Sequence, residues 1–254
     1  MQSRNTLPSY SLHGRVVVIT RPAGTASSLA RQVRVCGGVP LLLPGLSLRG
    51  VDDPSVASAA LGEALKDEVL VFTSPAAVRF AARLRPLRTR AVVVAVGQGT
   101  ARALRRLGVA ALAPEERQDS EGLLAHPALS DVRGRRVALI GAPGGRGVLR
   151  EQLAARGARL RELHVYRRVA PRLLRRHVAG VMALPSSARV LLSSAEALEH
   201  LRAQLPPEAL ATLCAATAVV SSERLADVAR AAGFRRVLVA ASALAADLLA
   251  AAAK

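Results

Sequence analysis

The stretch GRVVVITRPAGTASSLARQVRVCGG (14–38) returns as GRRVALIGAPGGRGVLREQLAARGA (134–158) at a constant offset of 120 residues. Gly14 falls on Gly134, Leu29 on Leu149, Val33 on Leu153 and Gly37 on Gly157, so an apolar run, a glycine turn and a helical pattern recur in one order. The same offset carries Ser74 onto Ser194 and Val78 onto Leu198, and at an offset of 124 VGQGTARAL (96–104) meets VSSERLADV (220–228). A chain that writes one βα pattern twice has little choice of architecture: two related α/β units on a duplicated scaffold.

Seven β-branched runs support this: RVVVIT (15–20), EVLVFT (68–73), AVVVAV (91–96), RRVALI (135–140), RVLLS (189–193), ATAVVS (216–221) and RVLVA (236–240). Ala/Leu/Arg stretches of helical period lie between them. The runs lack strict apolar–polar alternation, as do strands covered on both faces, and the expected class is α/β with parallel sheets flanked by helices. The most membrane-like stretch, VLVAASALAADLLAAAA (237–253), is interrupted by Ser242 and Asp247 and reads as a strand followed by a closing helix.

Charge narrows the function classes. Of the 36 basic residues 34 are Arg, against 18 acidic ones, for a net +18, and such a field attracts polyanions. Nucleic acid, an anionic membrane or a small polycarboxylate would each answer it, as would a compositional preference for Arg. The basic residues are spread along the chain with no block of like charge, which argues against a disordered binding tail. Aromatic residues make up 2% of the chain and Trp is absent, which removes the stacking platforms of single-strand nucleic-acid binders. There is no helix-turn-helix pattern either, and a nucleic-acid partner is not expected. Cys36 and Cys214 stand alone, outside any CxxC or Cys/His spacing, so neither a disulfide framework nor a zinc site follows. His13, His126, His164, His177 and His200 form no ligand spacing, and no metal is expected. MQSRNTLPSYSLHG at the start has no apolar secretion segment, so a cytoplasmic protein is expected.

In parallel sheets ligands collect beyond the carboxyl ends of the strands, where helix N-termini offer unpaired N–H groups and partial positive charge. Thr20-Arg21-Pro22, Thr73-Ser74-Pro75, Gly97-Gln98-Gly99-Thr100, Ser193-Ser194 and Ser221-Ser222 all lie at such ends. Ser and Thr are also the ordinary N-cap residues, each worth about 1 kcal/mol of helix stability, so any single turn needs no ligand to account for it. Five such turns in a chain this basic read together as a carboxylate-binding surface. Dinucleotide, phosphate-loop and serine-elbow patterns fail: Gly97-Gln98-Gly99 lacks the third glycine, GAPGGRG (141–147) lacks Lys-Ser/Thr, and Gly-x-Ser-x-Gly is absent.

Taken in order, VVVITRPAG, VFTSPAAVRF, VVAVGQGTARAL, DSEGLL (119–124), GGRGVLREQLAARGARLRELHVYRR (144–168), VLLSSAEAL and VVSSERLADVARAAGF resemble the motifs of the uroporphyrinogen-III synthase family, over residues 14–247 or nearly so. The resemblance implies a cofactor-independent lyase of tetrapyrrole biosynthesis that expels the hydroxyl of hydroxymethylbilane and closes the macrocycle with ring D inverted. It implies two α/β lobes joined by a pair of strands, with the active site in the cleft between them. Residues 1–46 and 172–254 would form lobe one, and residues 49–168 lobe two. The substrate carries four acetate and four propionate arms, a polyanion of the kind the charge calls for.

Residue by residue, the resemblance makes Tyr166 of LHVYRR the acid that assists departure of the hydroxyl. Without it, Tyr166 reads as a half-buried aromatic at a strand end. Tyr10, the other tyrosine, lies in a stretch expected to be mobile. The expected substrate contacts are Thr20, Arg21, Thr73, Ser74, Gly97, Thr100, Ser193, Ser194, Ser221 and Ser222, with Ser120 of DSEGLL, many of them through backbone amides. The hydroxyl doublets Thr73-Ser74 and Ser193-Ser194 are expected to cap helices whose N-termini grip carboxylates. The sequence departs from the family at Ser221-Ser222-Glu223-Arg224, where relatives show Gly-Pro-Thr-Thr, and at IGAPGGRG, where Arg and Glu often precede the glycines. A monomer is expected, without membrane association. A two-lobed tetrapyrrole- or anion-binding regulatory protein without turnover is the alternative on the same scaffold.

Overall fold

In the computed structural model the described residues are 10–115, 117, 120–144 and 147–254. The chain divides into two compact units, Met1–Ser47 with Val169–Lys254, and Leu48–Arg168. The first unit opens with β1 (Val16–Ile19), α1 (Ser27–Val35) and β2 (Val39–Leu42). After β3 (Ser47–Gly50) come α2 (Pro54–Ala64), β4 (Val69–Phe72), α3 (Pro75–Leu84), β5 (Val92–Ala95) and α4 (Gln98–Arg105). The second unit continues through α5 (Ser120–Leu124), β6 (Arg136–Gly141), α6 (Gly147–Ala155), β7 (Arg159–His164) and β8 (Tyr166–Val169). The chain then completes the first unit with α7 (Arg175–Met182), β9 (Arg189–Leu191), α8 (Ala195–Gln204), α9 (Pro207–Ala215), β10 (Thr217–Val220), α10 (Glu223–Ala231), β11 (Arg236–Val239) and α11 (Ala245–Ala253).

Both main sheets are parallel throughout. The first runs β11-β10-β9-β1-β2 and the second β5-β4-β6-β7. β3 pairs with β8, and both boundaries between the units fall inside these two strands. Each sheet is covered on both faces, which is why its central strands carry no polar alternation. Val17 and Ile19 point to the core shared with α1 and α11, while Val18 faces the core built with α7, α8 and α10. In the second unit Leu70 and Phe72 face α2, α3 and α4, whereas Val69 and Val71 face α5 and α6.

The repeat read from the sequence is a repeat of structure. β1, α1 and β2 correspond to β6, α6 and β7 at an offset of 120, as do β4 and α3 to β9 and α8. α2 and α7, which no sequence match links, sit at nearly the same spacing. Under this correspondence the order β5-β4-β6-β7 becomes β10-β9-β1-β2, the order observed in the first sheet. Gly14 and Gly134 have φ of 75° and 71°, and Gly37 and Gly157 have φ of 76° and 80°, the left-handed region that disfavours any side chain. Those turns are the best-matched glycines of the repeat because their backbone requires it. Each compact unit therefore joins the front piece of one copy to the rear piece of the other.

Three expectations are corrected. β5 and α4 align with β10 and α10 at an offset of 125 rather than 124, placing Gly97 opposite Ser222. Tyr10 is tied down, its hydroxyl donating to the Ala246 carbonyl at 3.1 Å. Four strands, β2, β3, β7 and β8, lie outside the seven apolar runs. Two of these are sheet edges, where one backbone face and part of the side-chain surface remain open. β2 there contains Pro40, and β7 carries Arg159, Arg161 and Glu162 in RLRELH.

Candidate substrate site

The turns at the carboxyl ends of the two sheets share one construction, and it separates the two hydroxyls of each doublet. The second hydroxyl is the cap. Ser74 Oγ accepts from the Ala77 N–H at 3.0 Å, Ser194 Oγ from Ala197 at 3.1 Å and Ser222 Oγ from Leu225 at 3.4 Å, with all three caps in extended backbone. The first hydroxyl stitches neighbouring strand ends. Thr73 Oγ1 donates to the Ile140 carbonyl at 3.1 Å, and Ser193 Oγ donates to the Thr20 carbonyl at the same distance, at equivalent positions of the repeat. The sequence expectation that both members cap helices is corrected to one member of each pair.

Thr20 has no exposed surface. Its Oγ1 donates to the Leu191 carbonyl at 2.9 Å and accepts the Ser193 N–H at 2.9 Å, locking β1 to β9. Thr100 is 2% exposed within α4, and its N–H returns to the Gly97 carbonyl at 3.0 Å. These two side chains belong to the packing of the strand ends. Gly97 is the extended N-cap of α4 with no side-chain cap, so it offers backbone only. Ser120 opens the five-residue α5, and Ser221 is half-buried between β10 and the Ser222 cap.

Tyr166 is brought to the same edge of the second sheet by the turn from β7 into β8. Its ring is 7% exposed and stacks on Phe80 of α3 with centroids 5.3 Å apart and planes 15° from parallel. Arg83 and Arg79 lie over the Phe80 ring at 5.3 and 5.9 Å. The Tyr166 hydroxyl is 3.2 Å from Ser74 Oγ. Because Ser74 Oγ already accepts the Ala77 N–H, its own hydrogen is available to the phenol oxygen. In that arrangement the tyrosine proton is left for another acceptor. The sequence singled out both residues but gave no sign that they touch.

Arg21 is half-buried at the end of β1, and burial lowers its pKa, the mark of a guanidinium held partly out of water. It lines a cavity of about 270 Å³ in the first unit with Arg172, Arg176 and His177. Sequence reasoning passed over those last three. The available signal was PRLLRRH (171–177), which crowds basic residues into the start of α7 with no acidic residue in its first turn. The corresponding cavity of the second unit, about 190 Å³, is lined by Thr73, Gly141, Arg150, Glu162 and His164 among others. A larger cavity of about 860 Å³, lined by Leu210, Cys214, Gly233 and Arg236, lies at the amino ends of β10 and β11, the sheet edge opposite the hydroxyl turns.

The family model described as Uroporphyrinogen-III synthase HemD matches residues 27–250. The chain belongs to the uroporphyrinogen-III synthase family. Among its relatives, the uroporphyrinogen-III synthases of Salmonella typhimurium and Escherichia coli K12 are each 31% identical, over 88% of this chain and 94% of theirs. A structure of uroporphyrinogen-III synthetase from Helicobacter pylori matches with a TM-score of 0.62 at 13% identity, over 93% of this chain and 97% of that one. A mutant uroporphyrinogen III synthase from the extremely thermophilic bacterium Thermus thermophilus matches at 0.57 and 20% identity, over 93% and 96%. These likenesses establish the family's α/β fold for the chain. No helix among the described residues is long and apolar enough to cross a membrane.

Proposed function

We propose that the chain is a working uroporphyrinogen-III synthase, converting hydroxymethylbilane to uroporphyrinogen III with loss of water and inversion of ring D. The observation that carries this reading is the Ser74–Tyr166 pair: a phenol hydroxyl held at 3.2 Å from a capping serine, at the carboxyl edge of a parallel sheet. The reaction asks for a proton donor at a departing hydroxyl and a surface that fixes the order of the pyrroles. Tyr166 is the donor. As the C–O bond breaks, the leaving oxygen takes the phenol proton and departs as water, leaving a cation spread over the pyrroles. The substituted α-carbon of ring D attacks that cation and becomes a spiro centre. Its older bond to the methylene shared with ring C then breaks and leaves the cation on ring C, and the free α-carbon of ring D bonds to that methylene and loses its proton, which leaves ring D inverted.

The Ser74 hydroxyl orients the phenol, and stacking on Phe80 fixes the ring. The acetate and propionate arms are taken by backbone amides at the N-termini of α3, α4, α8 and α10 and by Arg21, where helix dipole and guanidinium charge favour anions. Thr20, Thr73, Ser193 and Thr100 shape those turns from within, and we read Ser120, Ser221 and Ser222 as further substrate contacts, each within its own unit. The chain needs no cofactor for this chemistry, and we read it as a cytoplasmic monomer whose partner is a small polycarboxylate and not nucleic acid. The test is to incubate the purified protein with hydroxymethylbilane, oxidise the product and separate the porphyrin isomers. Isomer III supports the reading, and isomer I at the spontaneous rate refutes it.

A further inference from the structure

The duplicated scaffold places a cavity at the same point of each unit. Ile19, Arg21, Pro22, Gly24, Leu42 and Pro44 line the one in the first unit, and their equivalents at an offset of 120, Leu139, Gly141, Ala142, Gly144, Glu162 and His164, line the one in the second. The two differ in charge. The second-unit cavity pairs Arg150 with Glu162, whose side chains approach to 3.8 Å. The first-unit cavity has no Asp or Glu in its lining, and Arg21, Arg172, Arg176 and His177 all face it. The segment that closes it, from Pro171 to His177, corresponds in the second unit to residues 51–57, which carry Asp52 and Asp53 instead.

Nothing within the described residues neutralises this charge: no carboxylate among them pairs with Arg21, Arg172 or Arg176. Arg175, Arg176 and His177 also occupy the first turn of α7, the positive end of the helix dipole, where cations are disfavoured. His177 Nδ1 accepts the Leu174 N–H at 3.0 Å, which leaves the hydrogen of the neutral ring on Nε2. A partly desolvated Arg21 guanidinium without a counter-ion and the Arg176 charge in the first turn of α7 both cost stability, and one external anion in the cavity relieves both. At about 270 Å³ the cavity lies below the ~300–1,000 Å³ that encloses a drug-sized ligand, so it admits one side arm and excludes a macrocycle.

We propose that this cavity binds one carboxylate arm of the linear tetrapyrrole, with Arg21, Arg172 and Arg176 as its cationic wall and His177 beside them. The inference rests on the synthase reading above and adds to it a subsite in which one unit is basic where its copy is not. The segment Pro171–His177 thus becomes a specificity element that the repeat alone would not supply.

The experiment uses three variants of the full chain: Arg172→Ala with Arg176→Ala in one protein, Arg172→Glu, and Arg175→Ala. Arg175→Ala removes a charge from the same turn at a position that does not line the cavity. Each variant removes a charge-assisted hydrogen bond, so the double variant and Arg172→Glu are expected to raise KM for hydroxymethylbilane about tenfold or more with kcat nearly unchanged. Arg175→Ala should leave KM within about threefold of wild type, in line with a surface charge that only contributes to the general field. Melting curves check that each variant folds. Unchanged KM in the double variant, or an equal rise in Arg175→Ala, overturns the proposal while leaving the synthase reading intact. Uroporphyrin, the oxidised macrocycle with its eight carboxylates, is titrated by fluorescence alongside. Should the wild type make no isomer III, the synthase reading fails, and weaker uroporphyrin binding in the double variant still supports the pocket. Inorganic phosphate is the last probe: a melting shift by phosphate that the double variant abolishes, with KM unchanged, assigns the cavity to a free anion and overturns the proposal.

Discussion

Replacing Tyr166 with Phe removes one oxygen from a site where nearly everything else is fixed. The ring is 7% exposed and stacked on Phe80, and the phenylalanine ring keeps that contact and its buried area. The Ser74 cap survives, because Ser74 Oγ takes the Ala77 N–H independently of the phenol. What is lost is one hydroxyl–hydroxyl contact at 3.2 Å, a long one. A net hydrogen bond contributes about 0.5–1.5 kcal/mol, and a contact this long belongs at the lower end. In a chain of this size about 1 kcal/mol corresponds to roughly 2–4 °C in Tm, so a melting shift within a few degrees is expected. The rate carries the larger change. General-acid assistance is worth about 10²–10⁴, and the low end is expected because the pyrroles themselves stabilise the cation. The assay is kcat with the III-to-I product ratio, beside a melting curve. Ring inversion should persist, since isomer choice comes from how the arms are held. A full rate removes Tyr166 from the mechanism. A rate loss matched by a large fall in Tm makes it a packing residue.

Three further outcomes are expected. Thr20→Val strands the Ser193 N–H and removes the Oγ1 bond to Leu191, so denaturant unfolding should show a loss of about 1–3 kcal/mol, and a loss under about 0.5 kcal/mol contradicts the stitching role. Burial, and then the Arg176 charge, lower the His177 pKa below its ordinary 6.5. The unfolded chain therefore takes up that proton first, and stability present above about pH 6.5 is lost as pH falls below it. His177→Gln should flatten that part of the Tm-against-pH curve, and an unchanged slope would remove His177 from the effect. If the net +18 field steers the polyanion, kcat/KM should fall with ionic strength while kcat holds, and a salt-independent kcat/KM reduces the charge to composition.

The fold was legible where strands are buried on both faces. VVVI, VLVF and VVVA need no polar alternation because helices cover both sides, and the left-handed glycines mark the turns of the repeat. The edge strands were not, since Pro40 in β2 and the charges of β7 are tolerated only where one side is open. At the site, the sequence located the turns and could not divide the labour within them. Thr73 and Ser74 are neighbours of the same chemistry, and only backbone geometry decides that one ties β4 to β6 while the other caps α3. Thr100 looked like the other turn hydroxyls and is buried because it falls on the inner face of α4. The contact between Ser74 and Tyr166 spans 92 residues and depends on where β8 leaves the sheet, which no local pattern encodes. Arg172, Arg176 and His177 were visible as charge, and their common cavity follows only from the return of the chain to the first unit.

The central claim is tested most directly by the isomer made from hydroxymethylbilane. The purified full-length chain is mixed with the freshly prepared linear tetrapyrrole at neutral pH, the products are oxidised at timed intervals, and uroporphyrins I and III are separated and quantified against a protein-free control. Uroporphyrin III formed in proportion to enzyme concentration, at a rate well above the control and with isomer I suppressed, is the expected result. Isomer I accumulating at the control rate, with no isomer III, contradicts it.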